Sequence, residues 1–182
     1  MAVFVKDEIN RSLKVGVEVT LDCSLEELDE LARGVSENIE PGDWLLLNGD
    51  LGAGKTTFTQ KLAASLGFSQ NISSPTFSIV NVVDNQLVES QIRRICHLDL
   101  YRIKRSDELL HLGLEVEFSA KSICLIEWAE NIEPSGWANF FVTTGCRKPK
   151  RVLNISIQQD SEKAKREYRV RWESPDVLIE GQ

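Results

Sequence analysis

Gly49-Asp50-Leu51-Gly52-Ala53-Gly54-Lys55-Thr56, followed by Thr57, fits the pattern G-x-x-x-x-G-K-[ST]. Glycine at 49, 52 and 54 lets the backbone take turns closed to residues with a side chain, so successive N–H groups converge on phosphate oxygens. Lys55 stands where an ammonium reaches the β and γ phosphates, and Thr56 where a hydroxyl meets Mg²⁺. At average composition the four fixed positions coincide by chance in roughly one chain in 150 of this length, so the flanks decide the matter.

Ahead of the loop, Trp44-Leu45-Leu46-Leu47 is a short apolar run suited to a buried strand. Behind it, Phe58, Leu62 and Leu66 recur on one helical face, and Gly67 marks a C-terminal stop. Strand, glycine loop and helix is the order a phosphate cradle needs, because the helix N-terminus adds free N–H groups and partial positive charge. The fold class expected is α/β: a three-layer domain of the P-loop NTPase type, its mixed sheet having a parallel core with antiparallel additions.

A chain of 182 residues is one domain by length, with 1–171 expected to form it and 172–182 a C-terminal tail. With 21 Lys plus Arg against 28 Asp plus Glu, the net charge of −7 argues against a broad polyanion-binding surface. No secretory signal or membrane-spanning run is read, so a soluble, cytoplasmic protein is expected. The four cysteines, at 23, 96, 124 and 146, form no C-x-x-C pair and read as reduced thiols, with Cys96 and Cys124 inside apolar runs.

Along the chain, Val15 to Leu21 alternates as a first strand, and Ser24 with Glu27 forms a capping box for a helix whose inward face carries Leu25, Leu28, Leu31, Ala32 and Val35. Ser78 to Val83 alternates, and Asp84-Asn85 marks a hairpin. Strands are expected over Ile92 to Leu100 and Lys121 to Glu127, separated by a short helical region containing Leu109, Leu110, Leu112 and Leu114. Asn139 to Thr144 and Val152 to Ile157 read as an antiparallel pair joined by the basic turn 147–151, a solvated hairpin tip. Asp160 to Arg171 is charge-rich, and Trp172 to Gln182 shows no clear periodicity.

Hydrolysis also needs an acid to hold Mg²⁺ and a group to orient water. Asp99 and Glu127 each end an apolar strand, and ligands collect at the carboxyl ends of strands in open α/β sheets. Periodicity does not rank the two. His97, beside an apolar strand, reads as hydrogen-bonded structure in preference to a base. Trp128 reads equally as core or as a residue packing on the nucleotide or the loop.

GDLGAGKTT at 49–57, SPTF at 74–77, HLDLYR at 97–102, Glu108 with Leu112-Gly113-Leu114, and Glu127-Trp128 together resemble the bacterial TsaE family of tRNA threonylcarbamoyladenosine biosynthesis proteins, from about Leu21 to about Glu130. The resemblance implies a small Mg-ATP hydrolase, weak alone, serving the TsaD and TsaB subunits that install threonylcarbamoyl on tRNA, with tRNA reached indirectly through the complex. It implies nucleotide contacts from Ser24, Asp50, Leu51, Gly52, Ala53, Gly54, Lys55, Thr56 and Thr57, and metal ligands Thr56 and Glu127 with Asp99 near the metal and the attacking water. Lys55, Asp99 and Glu127 become the catalytic candidates. Ser74, Pro75, Thr76 and Phe77 become the switch that feels the γ phosphate, with Trp128 beside it.

A small-molecule kinase is the alternative, since the same loop serves transfer to an acceptor. Arg102 and Arg105 are thin material for the arginine-bearing lid it would need. A guanine-selective GTPase is disfavoured because N-K-x-D and D-x-x-G segments are missing. A binding module without turnover is disfavoured by the two carboxylates.

Overall fold

Trp44–Asn48 (β2) is buried on both faces and lies between two parallel neighbours, which explains its unbroken apolar run. The computed structural model describes residues 16–69, 72–75, 78–87, 90–159 and 165–180. In chain order the strands are Glu18–Cys23 (β1), β2, Val80–Asp84 (β3), Arg94–Asp99 (β4), Ser122–Glu127 (β5), Val152–Gln159 (β6) and Arg166–Glu173 (β7). They form a seven-stranded sheet in the order β1-β7-β6-β2-β5-β4-β3. The β6-β2-β5-β4 core is parallel, whereas β1 and β6 pair with β7, and β3 with β4, in antiparallel fashion.

Helices cover both faces, giving the three layers expected. Leu28–Ser36 (α1) and Lys55–Ser65 (α2) bury Leu31, Phe58 and Leu62 in the cluster that holds Leu45 and Leu47. A short Leu114–Glu117 helix (α3), Pro134–Thr144 (α4) and Val177–Glu180 (α5) cover the other face, where Trp137, Phe140 and Leu178 meet Trp44 and Leu46. Alternation along β2 therefore feeds two cores. Trp44 meets Trp137 edge-on at 5.4 Å, and aromatic pairs of this kind are worth about 0.5–1.5 kcal/mol beyond buried area.

The α1 capping box is present: Ser24 N–H donates to Glu27 Oε2 at 2.8 Å, and Glu27 N–H to Ser24 Oγ at 3.3 Å. Leu25, expected inward, is 56% exposed because it lies in the turn before the helix begins. Val15 lies outside the described residues, and the first strand starts at Glu18. The β3–β4 hairpin pairs Asp84 with Arg94, whose guanidinium bonds the Asp84 carboxylate at 2.7 and 3.1 Å.

The late hairpin is a correction. Residues 139–144 belong to helix α4, which has Pro134 in its first turn and ends on Gly145 in the left-handed conformation. The run Asn-Phe-Phe-Val-Thr-Thr mixes β-branched residues with a helical spacing, and burial of Trp137, Phe140 and Phe141 against Trp44 decides for the helix. The strand β6 consequently pairs parallel with β2, and its antiparallel partner is β7. The expected boundary at 171 falls inside β7, whose Tyr168, Val170 and Trp172 are buried while charged residues alternate between them. Trp172 is a core residue carrying the Arg151 guanidinium 4.3 Å above its ring.

Candidate functional site

Loop residues 49–54 join β2 to α2 with Gly49, Gly52 and Gly54 all at positive φ. At Gly49 the requirement is absolute, since an added Cβ would stand 2.3 Å from the Ile157 carbonyl oxygen. Gly54, at φ 110°, is the residue from which α2 departs. The turn leaves a cavity of about 260 Å³ lined by Gly52, Gly54, Lys55, Thr56, Thr57, Ser74, Asp99, Tyr101, Glu127 and Trp128.

Lys55 is 5% exposed. Its ammonium donates to the carbonyls of Gly49 and Asp50 and lies 3.7 Å from the centre of the Trp128 ring. Burial holds its pKa below the ordinary lysine value, an effect partly offset by the charges of Glu127, Glu130, Asp99 and Asp50. A buried cation satisfied by main-chain carbonyls and a ring face is a cation poised to exchange those partners for an anion.

Parallel pairing of β4 with β5 sets Asp99 opposite Glu127, so the two strand-end acids predicted from sequence open into the same cavity. The Thr56 hydroxyl lies 2.9 and 3.2 Å from the two Glu127 oxygens and donates to that carboxylate. Asp99 also caps the turn beyond it, accepting from Tyr101 N–H at 3.1 Å. Thr56, Glu127 and Asp99 thus present an all-oxygen donor set, the set a hard cation such as Mg²⁺ takes. Among the described residues no three His, Cys, Asp or Glu side chains gather into a metal cage. A cation held here would therefore complete its shell from phosphate oxygens and water.

Asp50 and Leu51 are exposed, and Leu51, at 79%, lines the cavity while Asp50 does not. Ala53 is buried, and its N–H closes the turn onto the Asp50 carbonyl at 3.1 Å. Ser74 reaches the cavity and Pro75 is buried, whereas Thr76 and Phe77 lie outside the described residues. Just after them Ile79 takes φ 67°, unusual for a β-branched residue, and its carbonyl accepts from Asp99 N–H at 2.9 Å. Trp128 also sits at positive φ, 60°, directly after Glu127. Two strained residues flanking one cavity fit the tendency of backbone strain to collect at functional sites. Ser24 is not among the residues that line the cavity; its hydroxyl is engaged in the α1 capping box.

One contributor was read from sequence only as hydrogen-bonded structure, without its partner, and another escaped the sequence reading. His97, fully buried on β4, places Nε2 2.9 Å from Glu127 Oε1, so the ring donates to the carboxylate that Thr56 also touches. The adjacency is set by strand register, which sequence spacing does not reveal. Arg166, the first residue of β7, pairs with Cys23 and packs over the loop, where a Cβ on Gly54 would lie 3.4 Å from its Nε. The alternation of Arg166 to Glu173 was the available signal.

Comparison with known proteins bears on the fold and the family. A crystal structure of YdiB from Bacillus subtilis superposes with a TM-score of 0.60 at 27% identity, covering 90% of this chain and 93% of that one. The Bacillus subtilis tRNA threonylcarbamoyladenosine biosynthesis protein TsaE is 41% identical over 108 residues, 59% of this chain and 64% of that protein. The corresponding Haemophilus influenzae protein is 44% identical over 86 residues, 46% of this chain and 50% of that protein. The matched stretches therefore span less than two thirds of either relative's length. The family model described as threonylcarbamoyl adenosine biosynthesis protein TsaE matches residues 23–168, from the edge strand through the loop and both acids into β7, and on that extent the chain belongs to the TsaE family.

Proposed function

We propose that the chain binds and hydrolyses Mg-ATP as a component of tRNA N6-threonylcarbamoyladenosine biosynthesis, acting on the TsaD and TsaB subunits without performing the carbamoyl transfer. The supporting observation is the pairing of the Thr56 hydroxyl with the Glu127 carboxylate at the mouth of a glycine loop, with Asp99 in register beside it. The family's relatives carry the biosynthetic role in their names, and that membership does not favour a kinase.

In this reading the main-chain N–H groups of residues 50–57 cradle the phosphates, and Lys55 swings from its carbonyl partners to the β and γ phosphates. Thr56 and Glu127 hold Mg²⁺, with Asp99 near it and near the attacking water. Bound Mg²⁺ supplies Lewis-acid neutralisation of the phosphate charge. His97 orients Glu127 through Nε2. Ser74, Pro75, Thr76 and Phe77 form the segment that responds to the γ phosphate, and Trp128 is the ring on which Lys55 rests between turnovers. Ser24 is assigned to the N-terminal region that meets the base. The proposed setting is cytoplasmic, with tRNA met through the partners; among the described residues no helix is long and apolar enough to cross a membrane.

The test is reconstitution with TsaD and TsaB. Slow ATP hydrolysis by the chain alone, accelerated by the partners and lost in Lys55→Ala, is expected. Fast hydrolysis indifferent to the partners would sink the proposal.

A further inference from the structure

A cavity of about 420 Å³, larger than that at the phosphate site, shares no lining residue with it. It lies over the sheet face that carries α4 and α5, whereas the loop helix α2 packs on the other face. Its walls are Leu46, Ile132, Trp137 and Leu178, and its polar end is formed by Asn48, Asn154, Ser156, Glu130 and Glu173.

No lysine or arginine lines the polar end, whose donors are the Asn48 and Asn154 amides and the Ser156 hydroxyl. Glu173 is only 6% exposed, yet among the described residues its carboxylate meets Asn154 Nδ2 at 3.5 Å and forms a long ion pair with Arg171 Nε at 3.6 Å. Arg171 is 44% exposed and does not line the cavity. A carboxylate buried this deeply ordinarily carries close, charge-assisted partners.

Amide orientation follows from the same group. Asn154 must turn its NH₂ toward Glu173, because its oxygen there would repel the carboxylate. Its Oδ1 then accepts from Asn48 Nδ2 at 2.8 Å. Every donor in the row runs toward Glu173, and the buried Asn48 Oδ1 at the other end has no hydrogen-bond partner among the described residues. The cavity therefore presents the Glu173 carboxylate at its polar end, with the exposed Glu130 at its rim and no lysine or arginine among its lining residues.

Anions are disfavoured by two carboxylates, and a bare cation would leave the apolar walls uncovered. We infer that this cavity is a second binding site, separate from the phosphate loop, for an organic cation of the alkyl-guanidinium class whose head meets Glu173 and Glu130 while its stem packs on Trp137, Leu46 and Leu178. A guanidinium suits it better than an ammonium because it is planar, carries five donors and gives up water more readily. Asn48 directly precedes Gly49, so occupation touches the strand end from which the phosphate loop springs.

The inference does not depend on the nucleotide reading and is tested without nucleotide. Titrate the full chain with n-butylguanidinium and with its neutral isostere n-butylurea, following the Trp137 indole and the Asn48 and Asn154 side-chain amides by NMR. Saturable shifts with a Kd of about 1 mM or tighter are expected for the cation, with n-butylurea at least about tenfold weaker. Glu173→Gln and the rim variant Glu130→Gln should each weaken binding about fivefold or more; the second, at an exposed position, keeps the test decisive if the first does not fold. Binding of N-acetylarginine methylamide tighter than n-butylguanidinium assigns the site to an arginine of a protein partner, and the reverse order to a free guanidine. Absence of saturable shifts, equal binding of the urea, or indifference to Glu130→Gln would overturn the inference.

Discussion

Replacing His97 by leucine isolates the contact that aims Glu127. The ring is fully buried, and its Nε2 lies 2.9 Å from Glu127 Oε1. Leucine fills a similar volume and cannot donate. A hydrogen bond to a charged group contributes about 1.5–3 kcal/mol, and part of that loss is offset by the apolar surface leucine adds to the core. The folded state should lose about 1–2 kcal/mol, a fall in Tm of about 2–8 °C for a chain this size. The functional effect should be larger than the structural one. Removing the partner that orients a metal-holding carboxylate typically costs 10–100-fold in metal affinity. At fixed ATP, the Mg²⁺ midpoint for nucleotide binding should therefore rise about tenfold or more. His97→Gln, whose amide can still donate, should recover much of the loss. Calorimetric Mg²⁺ titrations and thermal melts of the three proteins read both quantities. If His97→Leu kept the parental Mg²⁺ midpoint while binding nucleotide normally, Glu127 would not depend on His97 and the metal assignment would move toward Asp99.

Gly49→Ala should destabilise the chain by about 2–5 kcal/mol, the sum of overpacking against the Ile157 carbonyl and a side chain at φ 139°; an unchanged urea midpoint would refute that geometry. Burial is the main cause that lifts the Cys23 thiol to about 11 from its ordinary 9.0. Because the folded pKa is the higher one, the folded state holds its proton while unfolded thiols ionise, so stability is complete below pH 9 and falls as pH rises toward 11. Cys23→Ala should flatten that alkaline limb in denaturation curves taken at successive pH values, and identical slopes would contradict the burial argument.

The loop, its strand and its helix were legible because each obeys a local rule: turn glycines, an apolar run, and a four-residue repeat ending at Gly67. Asp99 and Glu127 were legible as strand-end acids, but their convergence is a product of β4–β5 register. Helix α4 was misread because Val142, Thr143 and Thr144 favour strands locally, while the deciding contact, Trp137 on Trp44, spans most of the sheet's build-up in sequence. The last strand was overlooked for a related reason: 160–171 read only as charge-rich and 172–182 as without periodicity, although Tyr168, Val170 and Trp172, alternating with the charges, are core. Arg166 and His97 reach the loop and Glu127 only through pairings with residues far away in the chain.

The most direct test of the account is calorimetric titration of the purified chain with ATP, with and without Mg²⁺, beside Lys55→Met. Saturable, Mg²⁺-enhanced binding that falls by at least about 30-fold in the variant is predicted, since truncating one partner of a buried charge pair costs about 2–5 kcal/mol. No heat of binding with Mg²⁺ present, or equal affinity in Lys55→Met, would contradict the reading of residues 49–56 as a nucleotide cradle.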